Sequence, residues 1–345
     1  MKKQTSLAIV IATAFLLVFE TYTIAVIHLE NGGGLPENVG NSERIRNSLK
    51  EQAPKEKFSF AVVGDTRTTG SFERLCDKLR DEPLSFMVIL GDFVDTCTKS
   101  NHDYFRSECT NKYRLLFPVF LVVGNQDVLY GEMGYDLDKV SLTDFERMYG
   151  PVNFSFEYGG CLFIGLCILP PPLSTKHSLE FLDSTLATHR GENRKVFVFA
   201  HMPVVRSAGP VTSSFENVQG FMDVIDRYGV DYVITSHFHG YDRTKRKDTV
   251  YLVTGGGGAP LDEKETFGSL HHAVVLTVNH ESVSEKIVSV PHCGDMRGDI
   301  RHFDMAELSS FLRRHPALTI VENLVILSVF CVFLRNVIRL ARTLW

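Results

Sequence analysis

Residues 84–95 read LSFMVILGDFVD, an apolar run that stops on Gly91 and Asp92. The pattern recurs on both sides. FSFAVVG ends on Asp65, PVFLVVG on Asn125, KVFVFA on His201 and DYVITS on His237, with His239 one residue further on. Short apolar runs bounded by Gly and polar residues read as buried strands. In an open α/β sheet, functional groups gather in the crevice beyond the carboxyl ends of the strands, so these side chains are expected to converge on one spot.

Between the runs lie helical patterns. Ser71 to Asp81 places Phe72, Leu75, Cys76 and Leu79 on one face, and Asn217 to Tyr228 does the same with Val218, Phe221, Val224 and Ile225. Strand and helix in alternation argue for an α/β fold. Asn153–Tyr158 and Cys161–Ile168, joined by Gly159 and Gly160, carry a hairpin signal, and Thr249–Thr254, His272–Val278 and Val283–Val290 read as a closing meander. Two sheets packed face to face with helices outside accommodate both halves. No internal repeat is evident.

The strand-end residues offer carboxylate, amide and imidazole but no thiolate. Such oxygen and nitrogen donors suit Mn, Fe or Zn ions, and a carboxylate between two ions can bridge them at about 3.5–4 Å. A Gly before Asp65, Asp92 and Asn125 is expected to let the backbone turn sharply off each strand and to leave room for ions or substrate.

The ordered set GD at Asp65, GDxxD at Asp92 and Asp95, GN at Asn125, H at His201 and HxH at His237 and His239 resembles the calcineurin-like metallophosphoesterase superfamily, which includes the purple acid phosphatases. The resemblance runs from about Phe58 to Val290 and includes GGGGAP at 255–260. It implies a four-layer αββα sandwich of two mixed β-sheets flanked by helices, and a centre of two divalent or trivalent metal ions. Asp92 would bridge both ions. Asp65 and His239 would hold the first, and Asn125, His201 and His237 the second. The resemblance further implies attack on a phosphomonoester or phosphodiester by a hydroxide bridging the ions, with Asp95 orienting a ligand.

Two positions depart from the family pattern. Arg67 stands where the family usually has a histidine after its first aspartate, and Gln126 stands where it has the histidine that assists the leaving group. Arg67 is read as a fork that clamps a phosphate oxygen and Gln126 as a donor that positions substrate. Both enter the expected catalytic set with Asp92. The alternative is a catalytically degenerate fold that binds a phosphorylated ligand or a protein partner. Asp127 is read either as a surface carboxylate or as a group orienting Gln126, and His271 and His272 as structural or rim residues. Arg243, Lys245, Arg246 and Lys247 read as a solvated loop, or as an attractor for anionic substrate at the mouth.

At 345 residues, 44% hydrophobic and 22% charged, the chain reads as globular with some membrane character. A net charge of −5 without a long block of one sign excludes a nucleic-acid partner. Ser6 to Ile27 is nearly all apolar, follows Lys2 and Lys3, and contains only one charge, Glu20, which makes it long enough to span a bilayer. It fits an uncleaved signal anchor better than a cleavable signal, which has a shorter apolar core and a small-x-small site. Ala317 to Leu334 is interrupted by Glu322 and Asn323 and followed by Arg335, Arg339 and Arg342. It reads as a span or as an interfacial helix.

The expected organisation is therefore an anchor helix over 1–30, a flexible polar linker over 31–57, the metallophosphoesterase domain over 58–292, a juxtamembrane segment over 293–316 and a terminal helix over 317–345. The catalytic domain would face the external or lumenal side. Its substrate would be a phosphoester, either linked to that membrane or soluble. Six cysteines outside the terminal helix permit disulfides, with Cys97 and Cys109 the candidate pair, and Asn153-Phe154-Ser155 is a glycosylation sequon.

Overall fold

Each of the five apolar runs forms a strand, and they are shared between two sheets. Phe58–Val63 is β1, Leu84–Ile89 β2 and Val119–Leu121 β3, while Phe154–Tyr158 and Cys161–Gly165 form β4 and β5, followed by Lys195–Phe199 as β6. Val205–Arg206 and Gly209–Pro210 make a short pair, β7 and β8. Tyr232–Thr235, Tyr241–Arg246, Thr249–Thr254, Leu270–Val278 and Val283–Pro291 complete the set as β9 to β13. This computed structural model describes residues 2–30, 34–51, 56–129, 138–207, 209–211, 215–261, 270–291, 300, 302–308, 311–312 and 315–342. The chain divides into two units, Leu35–Asp299 and a second made of Met1–Gly34 with Ile300–Trp345.

The first sheet has the order β13-β12-β1-β2-β3 and the second β10-β11-β9-β6-β5-β4. β1, β2 and β3 run parallel, as do β5, β6, β9 and β11, and the remaining neighbours in these two sheets pair antiparallel. Alternation along the strands separates three cores. Phe60, Val62, Phe86, Val88 and Phe120 point between the sheets and meet Phe163, Phe197 and Ile234. Ala61, Val63, Met87, Ile89 and Leu121 point outward against Phe72, Leu75 and Leu79 of α3 (Gly70–Arg80; the helices before it are α1, Lys2–Glu30, and α2, Glu43–Lys50). On that face also lie α4 (Lys99–Glu108) and α5 (Leu142–Tyr149), which contribute Phe105 and Phe145. The outer face of the second sheet packs on α6 (Lys176–His189) and α7 (Val218–Tyr228) through Leu182, Leu186, Phe221 and Ile225. Helix, sheet, sheet, helix is the four-layer α/β sandwich expected.

Four expectations are corrected. The stretch 31–57 is not a flexible linker where it is described: Val39, Asn41, Ile45 and Leu49 are buried, α2 is capped by Ser42, and Asn41 donates to Leu121 O and accepts from Leu121 N–H. The burial of a few apolar residues in a polar context was enough to dock it. Thr249–Thr254 is not part of a meander with the last two strands, since β11 pairs parallel with β9 in the second sheet, whereas β12 and β13 join the first. The basic segment after the HxH motif is strand β10, paired to β11 at the edge of its sheet. Its charges are neutralised locally, Arg243 by Glu285 and both Arg246 and Lys247 by Asp226, a charged edge that disfavours pairing with other chains. Finally, Cys97 and Cys109 are not joined in a disulfide.

Cys293 lies outside the described residues, as does half of the 293–316 segment. His271 and His272 are fully buried inside β12. Asn153 is built into the fold, its Oδ1 accepting from Cys167 N–H at 2.8 Å and Ser178 Oγ at 3.0 Å. In the other unit, α1 packs against α8 (Pro316–Arg342), with Ser6 and Thr13 of α1 buried. Glu322 and Asn323 interrupt the apolar run without breaking α8. Both helices are long and apolar enough to cross a membrane.

Phe163 is the hinge of the inter-sheet core, its ring centroid lying 5.4 Å from Phe60, 5.0 Å from Phe86, 5.0 Å from Phe156 and 5.1 Å from Phe197. Phe163→Ala is expected to cost about 3–5 kcal/mol through lost transfer energy and an unfilled cavity. Urea unfolding followed by far-UV circular dichroism measures it, and a loss under about 1 kcal/mol would mean that the cavity collapses.

Candidate metal centre

The six expected ligands meet at the carboxyl ends of β1, β2, β3, β6 and β9, where the two sheets face each other. Asp65 and His201 are fully buried and Asp92 is 1% exposed. His201 Nδ1 lies 2.9 Å from the Leu90 carbonyl, so Nδ1 carries a proton and, in the neutral ring, Nε2 keeps the lone pair. That Nε2 is 2.9 Å from Asn125 Oδ1, 3.1 Å from His237 Nδ1 and 3.5 Å from Asp92 Oδ1. The ligand atoms of Asp92, His201 and His237 all lie within 4.8 Å of one another. Next to them, Asp65 Oδ1 faces His239 Nε2 at 3.4 Å, and the opposite nitrogen of His239, Nδ1, is 2.8 Å from Pro260 O.

This donor set fits metal ions. Asp65 Oδ1 is buried without a hydrogen-bond partner, which costs free energy unless a cation takes the lone pair. The titration pattern agrees. Burial pushes the Asp92 carboxyl up, offset by His201 and reinforced by Asp65. His237 is driven down to about 4 by burial and by His201. Burial works against charge on His201 and His239 too, but Asp92 and Asp65 on the first, and Asp65 on the second, raise both on balance. Buried carboxylates that lean on imidazoles for positive charge are a site short of cations.

The local backbone refines the role assigned to the glycines. The left-handed turns are taken by the expected ligands themselves, with φ 55° at Asp65, 51° at Asp92 and 65° at His237, whereas among Gly64, Gly91 and Gly124 only Gly91 has a positive φ, 93°. Gly64 and Gly124 serve close approach instead. A Cβ on Gly64 would fall 2.2 Å from Ser236 Cβ, and one on Gly124 would fall 2.2 Å from Asp92 N and 2.3 Å from Asp92 Oδ1. In GGGGAP, a Cβ on Gly255 would reach Asp65 Oδ2 at 2.6 Å.

Arg67 sits beside this cluster, at φ 45°, with Nη1 3.2 Å from Asp95 Oδ1. Its charge is felt by Asp92, His237 and His239. Gln126 donates its backbone N–H to Asp92 Oδ1 at 2.8 Å. Two features escaped sequence reasoning. Ser236 is buried behind His201, its Oγ 2.7 Å from Leu90 O and 3.0 Å from His201 Nδ1; its place just before the HxH pair was the available signal. The Arg206 guanidinium covers the ring of Phe238 at 3.3 Å, a contact between segments that no local pattern announces. Asp127, read from sequence as a surface group or an aid to Gln126, is fully buried.

A family model described as calcineurin-like phosphoesterase matches residues 58–241. The chain belongs to that family. Solved structures share its fold at low identity. A dimetal phosphatase from Danio rerio has a TM-score of 0.53 at 13% identity, covering 70% of this chain and 100% of its own. Purple acid phosphatase PPD1 from yellow lupin has a TM-score of 0.53 at 17% identity, covering 71% of this chain and 55% of its own. GAP50, described as the anchor in the inner membrane complex of Plasmodium, has a TM-score of 0.51 at 16% identity, covering 73% of this chain and 96% of its own. Comparison with curated proteins finds no match.

Gly124→Ala tests whether this close packing sets the ligand position. The added methyl must push Asp92 aside, and Mn2+ affinity by isothermal titration calorimetry is expected to fall at least about tenfold. Parent-like affinity would show that Asp92 is not a ligand or that its loop adapts.

Proposed function

We propose that the chain is a metal-dependent phosphoesterase that hydrolyses a phosphomonoester or phosphodiester on the external or lumenal side of a membrane. The observation that carries this reading is the convergence of Asn125, His237 and Asp92 on Nε2 of His201, next to the buried Asp65 Oδ1 that faces His239 Nε2. Asn125, His201 and His237 would hold one ion, Asp65 and His239 the other, and Asp92 would serve both. Mn, Fe or Zn fits these donors. The ions, when bound, supply an acidified water and positive charge against the developing oxyanions.

The chain's own groups do the rest. Arg67 would offer guanidinium donors to the phosphoryl oxygens, with its Nη1 held by Asp95. Gln126 is fixed through its backbone to Asp92 and offers a carboxamide donor. Neither side chain releases a proton near pH 7, so the leaving oxygen takes its proton from water and esters with good leaving groups are favoured. Two helices able to cross a membrane would keep the domain at a membrane surface, where membrane-linked phosphoesters are concentrated alongside soluble ones.

A second reading rests on Arg67 and Gln126 and on the fold shared with the Plasmodium anchor protein: a retained fold that binds a phosphorylated ligand or a protein partner without turnover. Metal analysis of the detergent-purified chain, paired with hydrolysis of a bis-aryl phosphodiester and an aryl phosphate under added Mn2+ or Zn2+, separates the two. Near two ions per chain, with turnover abolished by Asp92→Asn, is the expected result. Absence of turnover across metals and pH selects the binding protein.

Gln126→His restores a group able to give up a proton. It is expected to raise kcat on a phosphoester with a poor leaving group by about 100-fold or more, with little change on an aryl phosphate. Equal effects on both substrates would assign Gln126 to binding.

A further inference from the structure

We infer that Asp127 is the positioning residue of the metal centre, the group that sets where Asp92 and Asn125 stand relative to each other. The inference rests on the proposed metal-centre reading and deepens it. The Asp127 carboxylate is fully buried and accepts four backbone N–H groups. Oδ2 takes those of Asp92 at 2.9 Å and Gly124 at 2.7 Å, and Oδ1 takes those of Phe93 at 2.9 Å and Val94 at 3.2 Å. One side chain therefore ties the loop after β2 to the loop after β3, and these loops carry Asp92 and Asn125.

Each oxygen accepts two donors, so only a carboxylate satisfies the arrangement. An asparagine, in either flip, would aim its NH2 at two N–H groups. The charge also suits the task, since backbone N–H groups bond an anion more strongly than a neutral acceptor, and the bonds hold Asp92 at its φ of 51°. The residue is itself held from behind. His102 Nε2 lies 2.8 Å from Asp127 O, and His102 Nδ1 lies 2.8 Å from the Tyr149 hydroxyl at the end of α5. Asp127 reaches the centre through the backbone of the ligand loops.

The test is Mn2+ titration of the full-length, detergent-purified chain, following free Mn2+ by electron paramagnetic resonance. Asp127→Asn is expected to weaken Mn2+ binding at least tenfold at a temperature where circular dichroism shows it folded. Val196→Ala, a core truncation in the second sheet that lowers the melting temperature, is expected to stay within about twofold of the parent, because general destabilisation does not move ligands. Parent-like affinity in folded Asp127→Asn overturns the inference, and so does an equal loss in Val196→Ala. Should Asp127→Asn fail to fold, Asp127→Glu keeps the charge but moves it by one methylene. At least threefold weaker binding then supports positioning, and parent-like affinity overturns it. A parent chain that binds no Mn2+ or Zn2+ overturns the metal-centre reading itself, an outcome distinct from any difference between variants.

Discussion

The hydrogen bond between His201 Nδ1 and the Leu90 carbonyl joins the two sheets at the point where both deliver expected ligands. Asp65, Asp92 and Asn125 leave the first sheet, and His201 and His237 leave the second. Either expected ion would draw donors from both sheets. By consuming the Nδ1 proton, this bond turns the basic face of His201 toward the other sheet's side chains, and Ser236 reinforces it from behind. The distance across the seam is set by the phenylalanine layer between the sheets, close-packed and hard to compress. Chemistry at one end of the sandwich therefore depends on apolar packing deep in its middle.

Conformational strain is concentrated where that chemistry is expected. Asp65, Arg67, Thr68, Asp92 and His237 all have positive φ, and Thr68 is β-branched, which makes the conformation costly there. Thr68 Oγ1 donates to Phe93 O at 2.7 Å, and Arg67 N–H donates to Asp92 O, so the strained loops after β1 and β2 brace each other. Nearby glycines are small because a neighbour occupies the space a methyl would need. That is a different constraint from the torsional freedom usually credited to glycine.

Strand identity and the residues that converge at the candidate site were legible because each lies within a dozen residues: an apolar run and a donor at its end. The α/β class and the helices at 70–80 and 218–228 followed from the same local periodicity. What was not legible depends on partners distant in sequence. Whether Thr249–Thr254 continues the last hairpin or crosses to pair with β9 is decided by sheet assembly. Residues 35–50 look like linker by composition, yet burial of Val39, Ile45 and Leu49 docks them. Asp127 shows the limit most clearly, since its position in GNQD was visible, but its four backbone partners belong to two loops.

The chain enters the folded unit after α1 and leaves it before α8, so Leu35–Asp299 is an insertion between two helices that pack on one another. A protein fastened at one end is freed by a single proteolytic cut. Here a nick on either side leaves the unit covalently joined to the other helix, and release from both requires two cleavages.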